Sequence, residues 1–248
     1  MQRHFDDQIQ ELLQRVVLMG SIAEAMIRTS LRALVERNEA LLAEVFRKEE
    51  EVNDLQIEID EQAVTLTGLH QPVGTDLRFL FMVPRITSEL ERIADQAVNI
   101  AQNTQHLMKT PLLKPLVDLP VMGEIVQGMV RDGIDALVKR DVALTERILE
   151  NEKKVDAFKN QVFRELLTYM MSDPGTIQRA LALILISRNL ERIGDHATNI
   201  AEEVIYFVQG RDVRHHHEEK NRGARSPDAA RPLDAEGRRV TDEDFTRS

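Results

Sequence analysis

The twelve residues from Leu90 to Ala101, LERIADQAVNIA, return one hundred positions later as LERIGDHATNIA, from Leu190 to Ala201, with nine of the twelve identical. In and just before the first copy, Ile86, Leu90, Ile93, Ala97 and Ile100 recur at steps of three and four. That spacing lays an apolar stripe along one face of a helix. Leu190, Ile193, Ala197 and Ile200 repeat it. A chain of this kind must bury two long, nearly identical amphipathic helices in equivalent surroundings, which points to a tandem repeat.

The flanking sequence follows the same plan. RKEEEVND (Arg47 to Asp54) resembles ENEKKVDA (Glu150 to Ala157), and setting Val52 against Val155 pairs Glu49 with Glu152 and Asn53 with Asp156. Periodicity places helices near 5–36, 39–68, 74–108, 119–139, 141–171 and 175–209. In HQPVGTD (His70 to Asp76), Pro72 stops one helix, Gly74 bends the chain, and Thr75 or Asp76 can cap the next. KTPLLKPLVDLP (Lys109 to Pro120) holds three prolines and reads as the linker between halves. SDPGT (Ser172 to Thr176) is a helix stop, with Pro174 near the next start. The expected fold is all-α: two tandem pseudo-symmetric three-helix bundles, residues 1–112 and 113–212, making six long helices. Residues 213–248 lack periodicity, are rich in Arg, Asp, Gly and Pro, and are expected to be a disordered tail.

Composition agrees. With 4% aromatics and no Trp, the core must come from Leu, Ile, Val, Ala and Met, which suits helix packing better than a β-sandwich. The absence of Cys excludes disulfides, thiolate zinc sites and cysteine nucleophiles, and fits a cytoplasmic setting. The N-terminus has no signal-peptide pattern, and the longest apolar run, ALALILI (Ala180 to Ile186), is far shorter than a bilayer span. Any membrane contact is therefore expected to be peripheral, through a partner. The net charge is −10, and from Arg211 onward nine basic residues balance nine acidic ones. The acidic excess thus sits in residues 1–210, which argues against nucleic acid and is compatible with binding cations.

The repeated motif places that acid deliberately. With Leu90 at 0°, Ala94, Ala97 and Ala101 fall within about 40° on the packing face, while Glu91 and Asp95 fall at about 100° and 140°, on its flank. Gln102 joins that line, and Glu191, Asp195 and Glu202 repeat it, with Thr198 beside them. Small residues at Ala94, Ala97, Gly194 and Ala197 let a neighbouring helix come close. That neighbour brings Glu49 and Asn53, or Glu152 and Asp156, toward the strip. Like charges 4 Å apart repel by about 1 kcal/mol in water and about 4 at an effective dielectric of 20, so several together call for a counter-charge. Arg92 and Arg192 lie near 200°, away from the strip. A divalent or trivalent cation is the economical partner. Oxygen ligands suit Mg, Mn, Ca or iron better than a closed zinc site. The bland alternative is a solvated helix face laced with salt bridges.

Other features carry less. His196 stands where the first copy has Gln96 and falls near 240°, so it reads as a surface or interhelix residue rather than a ligand. His215 to His217 could bind metal loosely. No nucleophile elbow, P-loop or dinucleotide glycine pattern occurs, and none of the seven histidines has a Glu three residues before it. The di-iron pattern of helix bundles is therefore missing.

The duplicated LERIADQAVNIA and LERIGDHATNIA, the pair EEEVND and EKKVDA, QPVGTDLR (Gln71 to Arg78) and the ending NIAEEVIYFVQG with RDVRH together resemble the PhoU family, over residues 1 to about 214. That resemblance implies a non-enzymatic cytoplasmic protein, usually a homodimer. It implies a negative regulator of the phosphate-starvation response. Such a protein links the phosphate ABC transporter to a sensor histidine kinase and modulates uptake. It also implies metal clusters, of iron, Mn, Mg or Zn. Their candidate ligands are Glu91, Asp95, Glu191 and Asp195, with Glu49, Asn53, Glu152 and Asp156 from the facing helices. Asn53 deprives the first site of a formal charge relative to Asp156. A carboxylate-bridged metalloenzyme and a metal-binding structural bundle are the competing readings.

Overall fold

A computed structural model of the protein describes residues 2–213. Residues 214–248, which include His215 to His217 and nearly all of the expected disordered tail, lie outside the described residues. Among the described residues there are six long helices and no strand: α1 (Gln2–Glu36), α2 (Leu42–His70), α3 (Gly74–Met108), α4 (Asp118–Lys139), α5 (Val142–Ser172) and α6 (Ile177–Gln209). Short 3₁₀ turns, Glu39–Leu41 and Pro174–Thr176, lead into α2 and α6.

The apolar stripes read from sequence are the buried faces. Ile86, Leu90, Ile93, Ala97 and Ile100 of α3 have no solvent exposure, and neither do Ile186, Leu190, Ile193, Ala197 and Ile200 of α6. α1 supplies Leu12, Val16, Met19, Ala23, Met26 and Ile27 at the same three-and-four spacing, all without exposure. α1, α2 and α3 pack on one another, as do α4, α5 and α6, and the two triplets meet through α3 against α6 and α1 against α4. One hydrophobic core runs through both triplets, and the helices form one compact unit ending at Gly210. The extra contact between triplets buries apolar surface that a lone three-helix unit would leave wet.

The ends of the helices show why they stop where they do. Arg37 and Arg140, which follow α1 and α4, take the left-handed conformation at φ 51° and 53°, the usual stop at a helix C-terminus. The Arg37 guanidinium donates to the carbonyls of Met108 at 3.0 Å and Thr110 at 2.8 Å, so it also closes the end of α3. Asp141 caps α5 by accepting from the Ala143 N–H at 2.9 Å. The cap expected at Thr75 or Asp76 is not made: α3 already begins at Gly74, and its N-cap, Val73, offers no side-chain bond. Asp76 instead lies in the first turn, where its charge complements the helix dipole. Gln71 at φ 46° and Gly74 at φ 61° make the reversal. Between the halves, Lys114 is buried to 9% exposure and pairs with Glu165 of α5 and with Asp118 at 3.5 Å. The proline-rich linker is thereby fastened to the body.

Candidate functional site

The flanks of α3 and α6 carry their carboxylates as the helical geometry requires. Glu91 and Asp95 are partly buried, Glu191 likewise, and Asp195 is exposed. The neighbouring helices bring acid to them. Burial first, then the charge of Asp95, then Glu50 raise the Glu49 carboxyl above its ordinary range. Burial and Asp95 also raise Glu91, against the pull of Arg92 and His196. Burial raises Asp95, and His196 opposes it. In the second half, burial, Glu191, Glu152 and Asp156 push Asp195 up to about 6. Glu49 of α2 thus lies within electrostatic reach of Asp95 on α3, and Glu152 and Asp156 of α5 within reach of Asp195 on α6. Asn53 is exposed and adds an amide rather than a charge.

The counter-charge in the second half is supplied by the chain itself. The Lys159 ammonium, one turn beyond Asp156 on α5, donates to Asp156 Oδ1 at 2.8 Å and to Glu191 Oε1 at 2.7 Å. Both bonds raise the pKa of Lys159 above its ordinary value. Continuing the alignment of Val52 with Val155, the equivalent residue in the first half is Gln56. Glu191 and Asp195 also border a cavity of about 540 Å³ between α5 and α6, lined as well by Lys159, Arg188 and Arg192.

The oxygen-only donors of the first half suit a hard cation by type, and burial is the main cause that raises Glu49, Glu91 and Asp95, with the charge of Asp95 adding to it at Glu49 and Glu91. The second half has a carboxylate, Asp156, where the first has Asn53, and an ammonium already among its donors. Among the described residues, no three His, Cys, Asp or Glu side chains draw close enough together to hold an ion. Thr198, read as lying beside the strip, is buried, and its hydroxyl has no hydrogen-bond partner.

Polar contacts between α3 and α6 complete the picture. Glu89 Oε2 accepts from Asn199 Nδ2 at 3.0 Å and lies 2.7 Å from His196 Nδ1. His196 is therefore an interhelix residue. Burial would raise Glu89, but the hydrogen bonds from His196 and Asn199 and the charges of His196 and Arg92 bring it below its ordinary value. Further along, Arg85 pairs with the buried Glu203 at 3.3 Å and lies 4.5 Å from the centre of the Phe81 ring. Sequence reasoning missed Lys159, Glu89 and Glu203. The signal for Lys159 was present, since it sits three residues after Asp156 on one helix face.

Two three-helix repeats fused through their third helices, each third helix edged by an E-x-x-x-D strip, define a class of duplicated helical proteins. Comparison with known proteins narrows the class. The sequence profile of the PhoU domain matches residues 16–104 and again 119–204. The phosphate-specific transport system accessory protein PhoU homolog of Zymomonas mobilis is 39% identical over 209 residues, covering 84% of this chain and 88% of that protein. The PhoU homolog 2 of Thermotoga maritima is 37% identical over 219 residues, covering 88% and 93%. The crystal structure of PhoU from Pseudomonas aeruginosa superposes with a TM-score of 0.80 at 34% identity, covering 84% of this chain and 100% of that one. The chain belongs to the PhoU family.

Proposed function

We propose that this chain is an accessory protein of the phosphate-specific transport system. In this reading it is a cytoplasmic negative regulator of the phosphate-starvation response that joins a subunit of the phosphate ABC transporter to a sensor histidine kinase, restrains uptake, and performs no catalysis of its own. The observation that carries the reading is the family match in both repeats, together with relatives named for that system at up to 39% identity over most of their length. Among the described residues no helix is long and apolar enough to cross a membrane, so the chain would reach the transporter through protein contacts. The working unit is proposed to be a homodimer.

The carboxylate strips are proposed to hold hard cations: Glu49, Asn53, Glu91 and Asp95 in the first half, Glu152, Asp156, Glu191 and Asp195 in the second. Iron, Mn, Mg or Zn bound there would supply positive charge that cancels acidic repulsion and ties the second helix of each half to the third. The chain's own contribution is to present oxygens from two helices whose spacing the core fixes.

The test is capture of the tagged full chain from phosphate-replete and phosphate-starved cells, alongside a deletion strain. Expected are a transporter subunit and a histidine kinase in the captured material, in amounts that depend on phosphate, and constitutive phosphate-starvation genes in the deletion. Unchanged regulation in the deletion, with neither partner captured, would remove the proposal.

A further inference from the structure

The hairpin of α5 and α6 leaves a row of apolar side chains in water. On α6, with Ile177 at 0°, Leu181, Leu185, Arg188 and Arg192 all fall within about 80°, in one stripe roughly 22 Å long. On α5, Phe163, Leu167 and Met171 recur at steps of four and share a face. The six apolar members of these two rows are between 39% and 77% exposed. Single exposed apolar residues are ordinary, but a contiguous row on two packed helices marks an interaction surface. Away from the hairpin turn the stripe becomes basic. Arg188 and Arg192 line the cavity of about 540 Å³ between the helices, together with Phe163 and Lys159. Both arginines are exposed, and among the described residues neither makes an ion pair or a hydrogen bond. Glu191, in the same cavity, is already engaged by the Lys159 ammonium at 2.7 Å. The first half keeps the apolar part without the uncommitted cations. Val64, Leu77 and Phe81 are exposed along a groove between α2 and α3. There Ser88 and Gln56 stand for Arg188 and Lys159, while Arg85 pairs with Glu203 and Arg92 with Glu89.

We propose that the α5–α6 groove is a docking site for an amphipathic helix of a partner protein, apolar along one face and acidic at the end that lies over Arg188 and Arg192. The inference rests on the reading of this chain as an adaptor that works through protein contacts, and it names the surface that makes one of them. Two antiparallel helices offer a groove into which the side-chain ridge of a third can pack. A partner helix of about four turns covers the stripe from Ile177 to Arg192. Apolar anchors at i, i+4 and i+7 of that helix would sit against Leu185, Leu181 and Ile177, turn for turn. Carboxylates one turn further along would meet guanidiniums that have no acid of their own. On a chain of net charge −10, uncommitted guanidiniums give an acidic segment a place to approach and fix which way round it lies. An anionic membrane fits the groove less well. Glu191 and Asp195 share the cavity with the arginines, and a continuous sheet of headgroups could not avoid them. A second copy of this face, set against it about a two-fold axis centred on the stripe, would lay arginines over apolar side chains and desolvate them without supplying an acid.

The experiment places a photo-cross-linking amino acid in the tagged full chain, in place of Leu181 and separately in place of Val35, which is exposed on α1. Cells are irradiated and the segments joined to the chain are sequenced, alongside capture of a transporter subunit and a histidine kinase. Expected is an adduct at position 181, and not at 35, with a protein segment of helical apolar period that is acidic at one end. Arg188→Glu combined with Arg192→Glu should lower its yield at least about tenfold, with the circular dichroism of the purified variant unchanged. Exchanging the acids of the sequenced segment for Lys should restore the yield in that variant. An adduct with lipid, with a second copy of this chain or within the chain would overturn the proposal, and so would one that the double replacement leaves unchanged. Capture of the partners with no protein adduct at 181 would overturn this surface and leave the adaptor reading standing. Loss of both capture and adduct in the unsubstituted background would remove the two together.

Discussion

Replacing Asp195 with Asn should stabilise the metal-free protein at neutral pH, and by less as the pH falls. Asp195 faces burial first, then the negative charges of Glu191, Glu152 and Asp156, which together raise its carboxyl from 3.8 to about 6. A group whose folded pKa exceeds its unfolded value favours the fold when protonated. Its contribution is complete below the unfolded value of 3.8 and is lost as the pH rises through about 6. Above that, the folded state bears the cost of a crowded charge. At 1.36 kcal/mol per pH unit, a fully buried carboxyl shifted this far would cost about 3 kcal/mol. Asp195 is more than a third exposed, and solvent screens it, so about 1 kcal/mol is the working figure. Asn is neutral throughout and nearly the same shape. For a helical body of this size that amounts to a rise in Tm of about 2–4 °C. Urea unfolding of chelator-treated wild type and Asp195→Asn, from pH 4 to pH 8, reads the effect directly. The difference should open between pH 4 and about 6.5 and then level off. A variant less stable than wild type at pH 7.5, or a gain equal at every pH, would show that Asp195 is not a crowded charge.

Glu89→Ala should behave oppositely. It removes the acceptor from His196 and Asn199 and should cost about 1–3 kcal/mol at pH 7. Because the folded pKa of Glu89 is depressed, that stability is present above the unfolded value and is lost as the pH falls through the folded one; the cost should therefore shrink in acid denaturation series. Gly194→Ala should raise stability by about 0.5–1 kcal/mol from helix propensity, since its Cβ would meet Met129 at 3.6 Å and Val155 at 3.7 Å in ordinary contact. Gly123→Ala should fail by about 1–3 kcal/mol, because a Cβ there would lie 2.0 Å from Leu31 Cδ1. Thermal melts of the two alanine variants decide the pair, and equal melting temperatures would contradict the packing described.

What the sequence made legible, and what it did not, follows from the duplication. The stripes on α3 and α6 and the flanking position of Glu91, Asp95, Glu191 and Asp195 need only the helical repeat, so they could be read without coordinates. Contacts across α3 and α6 need to know which partner lies opposite, and here the two copies differ. The Glu89–His196 pair has neutral counterparts at Asn189 and Gln96, and Arg85–Glu203 has Leu185 and Asn103. Each of these polar pairs takes its α3 member from one copy and its α6 member from the other. A strictly symmetric pair would place both an acid and a base at every such position on both helices, doubling the buried charge to be compensated. The polar contacts made by one set of positions pin the register of α3 on α6, while in the equivalent set Gln96 Oε1 is buried without a hydrogen-bond partner. Where duplicated helices diverge while their apolar stripes stay alike, the divergent polar positions mark where the two copies meet something different.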